Sequence, residues 1–147
     1  MTIPEQVASL RRTLHRLITR RLSGHTRRPL QHLLALKYIA LQGVRTQAEL
    51  AERLIMDAPA VSRMVDRLEE EGLVKRCAGE DRRCVRLEVT EASLPELELL
   101  QRDVRAVDEE VQRHLTASEV RELKRLLEKV QTGLTQESAA AERAFVE

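Results

Sequence analysis

Aromatic side chains are almost missing from this sequence: 147 residues contain no Trp, one Tyr (Tyr38) and one Phe (Phe145). The core must therefore be aliphatic, built mainly from Leu, Val and Ala, and a ligand site that depends on ring stacking has little to draw on. Cysteine is nearly as scarce. Cys77 and Cys84 are too few for a disulfide framework and lack the paired spacing of a structural zinc site, which suits a reducing compartment. His15, His25, His32 and His114 are scattered, with no i, i+4 ligand pair. No apolar run approaches the roughly 18 residues of a membrane span, and no secretory signal pattern opens the chain. A cytoplasmic protein without membrane contact is expected. Catalysis is not: no nucleophile with a nearby base, no paired catalytic carboxylates and no phosphate-binding Gly loop can be found, and no cofactor is implied.

What the sequence does have is charge, 33% of its residues, on a background of good helix formers. The net charge of +1 conceals an asymmetry. Residues 1–30 carry 7 Arg against 1 acid, residues 31–90 carry 10 basic against 10 acidic, and residues 91–147 carry 8 against 13. A near-neutral protein can still present a local basic stripe to phosphates, so the placement of the Arg residues decides.

Val7, Leu10, Leu14, Leu17, Ile18 and Leu22 recur at helical spacing and predict a first helix over about 5–22. Gly24 breaks the pattern, and Pro29 opens a second helix that runs to about Gln42 and stops at Gly43. Three later starts carry a Ser or Thr followed three residues on by Glu: Thr46 with Glu49, Ser93 with Glu96, and Thr116 with Glu119. The first opens a short helix, Gln47 to Arg53. After a turn at Leu54–Met56, Asp57 as N-cap and Pro59 in the first turn lead a longer helix to Glu71, and Gly72 closes it. This succession is a helix-turn-helix. From Leu73 the apolar period becomes two, which predicts a β-hairpin with the tip Ala78-Gly79-Glu80-Asp81-Arg82-Arg83.

A helix-turn-helix lays its second helix in the DNA major groove, N-terminal residues foremost. The expected reading residues are Ala58, Pro59, Ser62 and Arg63. Arg63 suits a bidentate contact to guanine or a phosphate grip, Ser62 a base or phosphate, and Ala58 and Pro59 apolar contact such as a thymine methyl. Val61, Met64, Val65 and Leu68 should face the core. Arg82 and Arg83 at the hairpin tip suit an adjacent minor groove, against the alternative of a solvated turn.

The runs Thr46-Gln-Ala-Glu-Leu-Ala-Glu-Arg-Leu, Ala60-Val-Ser-Arg-Met-Val-Asp-Arg-Leu-Glu, Glu71-Gly-Leu-Val-Lys-Arg, Asp81-Arg-Arg and Leu87-Glu-Val-Thr-Glu-Ala resemble the MarR (multiple antibiotic resistance regulator) family of bacterial transcription factors. The resemblance is strong over about residues 46–92. It implies a mainly α fold with a small β-hairpin wing, a winged helix-turn-helix lobe over 30–90, and flanking helices in 1–29 and 91–147 that form a homodimer. One domain, 1–147, is expected. It further implies two lobes on a pseudo-palindromic operator in double-stranded DNA, and a wing oriented by Asp66 and Asp81, with Asp66 holding Arg83. Ala58-Pro59 departs from the more polar start usual in the family, so base preference does not transfer. Pro95 is a second departure and suggests a delayed start or a kink in the following helix.

Apolar lines through Leu97, Leu100, Val104, Val107, Val111 and Leu115, and through Val120, Leu123, Leu127, Val130 and Leu134, need partners. A second copy of the chain is expected to cover them, with an intrachain bundle as the alternative. Repression controlled by a small molecule or an oxidant is the expected regulation, and an aliphatic cleft with an Arg could hold a carboxylate effector. Cys77 and Cys84, nearly opposite across the hairpin with Arg76 and Arg83 nearby to lower a thiol pKa, are a candidate redox pair, against two inert small apolar residues. The alternative function is a winged-helix adaptor that docks proteins rather than DNA.

Overall fold

The computed structural model describes residues 1–79 and 85–146. Its elements run α1 (Ile3–Leu22), α2 (Leu30–Leu41), α3 (Gln47–Leu54), α4 (Ala58–Glu70), β1 (Val74–Ala78), β2 (Val85–Val89), α5 (Leu94–Gln112) and α6 (Ala117–Val146). The chain divides into two compact units, Met1–Val107 and Asp108–Glu147.

In the first unit the aliphatic core forms as the composition requires. Leu33, Leu36 and Ile39 of α2, Leu50 of α3, Val61, Val65 and Leu68 of α4, Leu87 of β2 and Leu100 of α5 are all buried together. Helix α1 starts earlier than the apolar spacing suggests, because Thr2 and Glu5 close a capping box around the first turn. Its apolar face is buried only toward its end: Leu22 is buried and Ile18 packs on the core, while Ile3, Val7 and Leu10 stay exposed.

Each end of the helix-turn-helix is fixed by local chemistry. Thr46 accepts the Glu49 N–H at 3.1 Å, and Asp57 accepts the Ala60 N–H at 2.8 Å. Between them the turn passes through Ile55, whose φ of 55° is left-handed. Helix α4 ends in a Schellman closure: the Gly72 N–H bonds the Glu69 carbonyl at 3.0 Å and the Leu73 N–H bonds the Leu68 carbonyl at 2.9 Å. Gly72 takes the required positive φ of 75°.

The strands pair antiparallel in the register Val74↔Val89, Lys75↔Glu88, Arg76↔Leu87, Cys77↔Arg86 and Ala78↔Val85. Two bonds tie the hairpin base to the lobe. The Leu87 N–H donates to the Arg45 carbonyl at 2.7 Å, and the Thr90 N–H to the Leu73 carbonyl at 3.0 Å.

The expected Ser93 cap is not formed. Ser93 is buried at the end of a 3-10 turn, Glu91–Ser93, where its hydroxyl donates to the Thr90 carbonyl at 2.6 Å. Glu96 instead pairs with Arg28 at 3.5 Å. The 3-10 turn runs straight into α5, so Pro95 falls in the first helical turn, where its missing N–H costs no bond.

In the second unit, Thr116 accepts the Glu119 N–H at 3.2 Å while Glu119 accepts the Thr116 N–H at 2.9 Å, the reciprocal box that starts α6. Along that helix Leu123, Leu126, Leu127, Val130 and Leu134 are between 40% and 62% exposed.

Candidate nucleic-acid interface

Helix α4 divides cleanly into two faces. Val61, Met64, Val65 and Leu68 are buried, as the spacing predicts, while Ala58, Pro59 and Arg63 are exposed and Ser62 is half-buried. The four residues selected as base readers therefore share the outer side of the first two turns. Asp57 consumes one free N–H at this end, and the first turn itself carries no acid that would repel a phosphate. Among the described residues no ion pair engages Arg63, which leaves its five donors available.

The hairpin stands beside this helix. Lys75 and Arg86 are exposed on its strands. Asp81, Arg82, Arg83 and Cys84, to which wing roles were assigned above, lie outside the described residues. Asp66, expected to hold Arg83, pairs with Arg76 at 2.7 Å. Glu69 joins the same guanidinium at 3.3 Å. Arg76 is the residue that sequence reasoning missed. The available signal was Asp66 and Glu69, spaced by three on the side of α4 that turns toward the first strand.

Of the candidate redox pair, Cys77 is described. The register pairs Cys77 with Arg86. Desolvation first, then the hydrogen bond to Glu88 and the charge of that carboxylate, push the Cys77 thiol above its usual range, against smaller opposing effects of Lys75 and Arg86. Glu88, directly across from Lys75, reaches Cys77 Sγ at 3.5 Å, so the local field disfavours the thiolate that oxidation needs.

Toward the other end of α4, Thr26, Arg27, Arg28, Pro29, His32, Arg67 and Glu71 line an open cleft of about 480 Å³. Arg28 pairs with Glu71 and Glu96, and Arg67 with Glu71 at 3.5 Å. Burial, then the charges of Arg28 and Arg67, hold the His32 imidazole below its ordinary value. The buried Asp103 of α5 meets His25 Nδ1 at 3.2 Å and lies 3.9 Å from Arg21 and 3.8 Å from Arg102. Among the described residues no group of three His, Cys, Asp or Glu side chains could hold a metal ion, and no helix is long and apolar enough to cross a membrane.

A helix-turn-helix followed at once by a two-stranded hairpin, with long helices before and after, defines a winged-helix protein. The MarR family model matches residues 29–85. Solved structures agree over most of the chain. Apo wild-type MarR from E. coli is 28% identical with a TM-score of 0.77, covering 88% of this chain and 97% of its own. A mutant E. coli MarR complexed with operator DNA is 28% identical with a TM-score of 0.71, covering 87% and 94%. A Mycobacterium tuberculosis MarR family protein in complex with p-aminosalicylic acid is 26% identical with a TM-score of 0.75, covering 89% and 99%. Residues 29–85 thus match the MarR family, and the chain as a whole is similar in fold to MarR proteins of known structure.

Proposed function

We propose that this protein is a sequence-specific DNA-binding transcriptional regulator that acts as a homodimeric repressor. The observation that carries the reading is the outer face of α4, where Ala58, Pro59, Ser62 and Arg63 stand together beside the hairpin with Arg63 free of described ion pairs. The similar E. coli protein that was solved with operator DNA supports it. In this reading the lobe over residues 30–90 contacts DNA, with Arg82 and Arg83 at the wing tip, and residues 1–29 and 91–147 supply the dimer. The exposed apolar line on α6 supports the second copy, and a pseudo-palindromic operator follows from two-fold symmetry. Release by a small-molecule effector is preferred to release by an oxidant, because the field around Cys77 works against a thiolate and a similar protein was solved with an aromatic carboxylate.

The test is selection of bound duplexes from a randomised pool, followed by titration of the enriched sequence. Arg63→Ala should weaken binding about 10- to 100-fold, the equivalent of one bidentate base contact of about 1–3 kcal/mol, and flatten preference at one base position. Equal affinity of the variant and the wild type for the enriched duplex rejects the assignment of Arg63. A pool from which the wild type enriches nothing rejects the function.

A further inference from the structure

The base of the hairpin holds one side chain with partners on two helices. Arg76 of β1 has a side chain only 23% exposed, and its guanidinium reaches both α3 and α4. Nη1 lies 2.7 Å from Asp66 and 3.3 Å from Glu69, both on α4. Nε donates to Gln47 Oε1 on α3 at 3.0 Å, and Nη2 to the Ser62 carbonyl at 3.4 Å. The second oxygen of Glu69 accepts the Arg76 backbone N–H at 2.9 Å, so one carboxylate grips this residue by main chain and side chain together.

The geometry points to Arg76 as a positioning residue that clamps the wing to the recognition helix and to α3, so that all three elements meet DNA as one prealigned surface. The inference rests on the DNA-binding reading above. Its force comes from the fork. A planar guanidinium can hold donors to Gln47, Ser62 and two carboxylates at once, whereas a lysine ammonium is a point charge on a flexible stem. Ion pairs this accessible, with Asp66 at 56% and Glu69 at 43% side-chain exposure, add little to folding. Their effect belongs to orientation: a wing free to swing must be ordered when DNA binds, and that ordering weakens the complex. The clamp also neutralises two acids on the helix that carries Arg63.

The experiment uses the duplex enriched by the wild-type protein. Arg76→Ala should weaken binding at least about tenfold while the melting temperature moves by only a few degrees, and Arg76→Lys should recover only part of the loss. Wild-type affinity in Arg76→Ala overturns the clamp. Wild-type affinity in Arg76→Lys also overturns it, since a single charge on phosphate would then suffice. Should Arg76→Ala fail to fold, the pair Asp66→Asn with Glu69→Gln decides. Removing two negative charges beside DNA ought to tighten binding on charge alone, whereas loss of the clamp weakens it about three- to tenfold, so equal or tighter binding overturns the inference. A readout without DNA separates this from failure of the functional reading. In the free protein, the amide resonances of Gln47 and Ser62 should shift in Arg76→Lys, and unmoved resonances there overturn the clamp whatever the protein binds.

Discussion

Ile55 shows how a single residue can be held against its own preference. It is β-branched, 74% exposed and left-handed, with φ of 55°, because the turn between α3 and α4 needs that geometry and the Met56 N–H must reach back to the Ala51 carbonyl at 3.0 Å. Left-handed backbone costs an L-residue about 1–2 kcal/mol, and an exposed side chain has little packing to offset it. Ile55→Gly should therefore raise stability by up to about 1 kcal/mol, some of the gain being lost to the looser unfolded chain. A rise of about 2–4 °C in Tm is the expected signal. A fall in Tm would show that Ile55 packs better than its exposure suggests.

His32 supplies a second effect at this scale. Burial and the nearby Arg28 and Arg67 hold its folded-state pKa below the ordinary 6.5. Between those two values the unfolded chain binds more protons, so stability declines as pH falls through about 6.5 and the loss is complete below the folded-state value. Above 6.5 the imidazole is neutral in both states and contributes nothing. His32→Gln should flatten this acid limb, measured by urea unfolding at pH 7.5, 6.5 and 5.5. Parallel curves for variant and wild type would remove His32 as the cause.

At the scale of the element, caps decide where helices begin and therefore which residues a helix presents at its first turn. Asp57→Ala removes the acceptor of the Ala60 N–H, which should cost about 1 kcal/mol in unfolding free energy and fray the turn that carries Ala58 and Pro59. Affinity for an enriched duplex should fall with it, and Asp57→Asn should restore both. Stability lost without any change in affinity would detach the cap from the reading face. The helix-turn-helix and hairpin were legible because short-range chemistry sets them: Thr46, Asp57, Pro59 and Gly72 act within a turn of their own positions. The Ser93 box misled for the opposite reason. Its Glu96 is drawn to Arg28, distant in sequence, and the Ser93 hydroxyl turns back to Thr90. Arg76 escaped notice likewise, since its partners Gln47, Ser62, Asp66 and Glu69 come together only after α3, α4 and β1 have docked. The surroundings of Cys77 were only partly legible, because alternation shows the basic neighbours beside it in sequence but not Glu88 on the opposite strand.

At the scale of the whole molecule, α6 carries the apolar line that bears on assembly. Val120, Leu123, Leu127, Val130 and Leu134 alternate three- and four-residue steps, the seam of a coiled coil, yet none of them is buried in the single chain. Apolar surface arranged in one line along a 30-residue helix favours association over solvation. Placing a charge at the middle of that line, as Leu127→Asp, should abolish the proposed dimer without unfolding the winged lobe, because the core around Leu33, Val65 and Leu100 contains no residue of α6. Sedimentation velocity at micromolar concentration should show a dimer for the wild type and a monomer for the variant. Circular dichroism should keep its cooperative melt. Operator binding then separates two contributions: a monomer still carries Arg63 and the wing, so it should bind an isolated half-site like one lobe of the dimer. It should also lose most of the gain that a palindrome gives the wild type, since that gain comes from linking two binding events. A variant that stays dimeric would move the interface away from this seam, and a wild type that sediments as a monomer would remove the two-half-site operator with it.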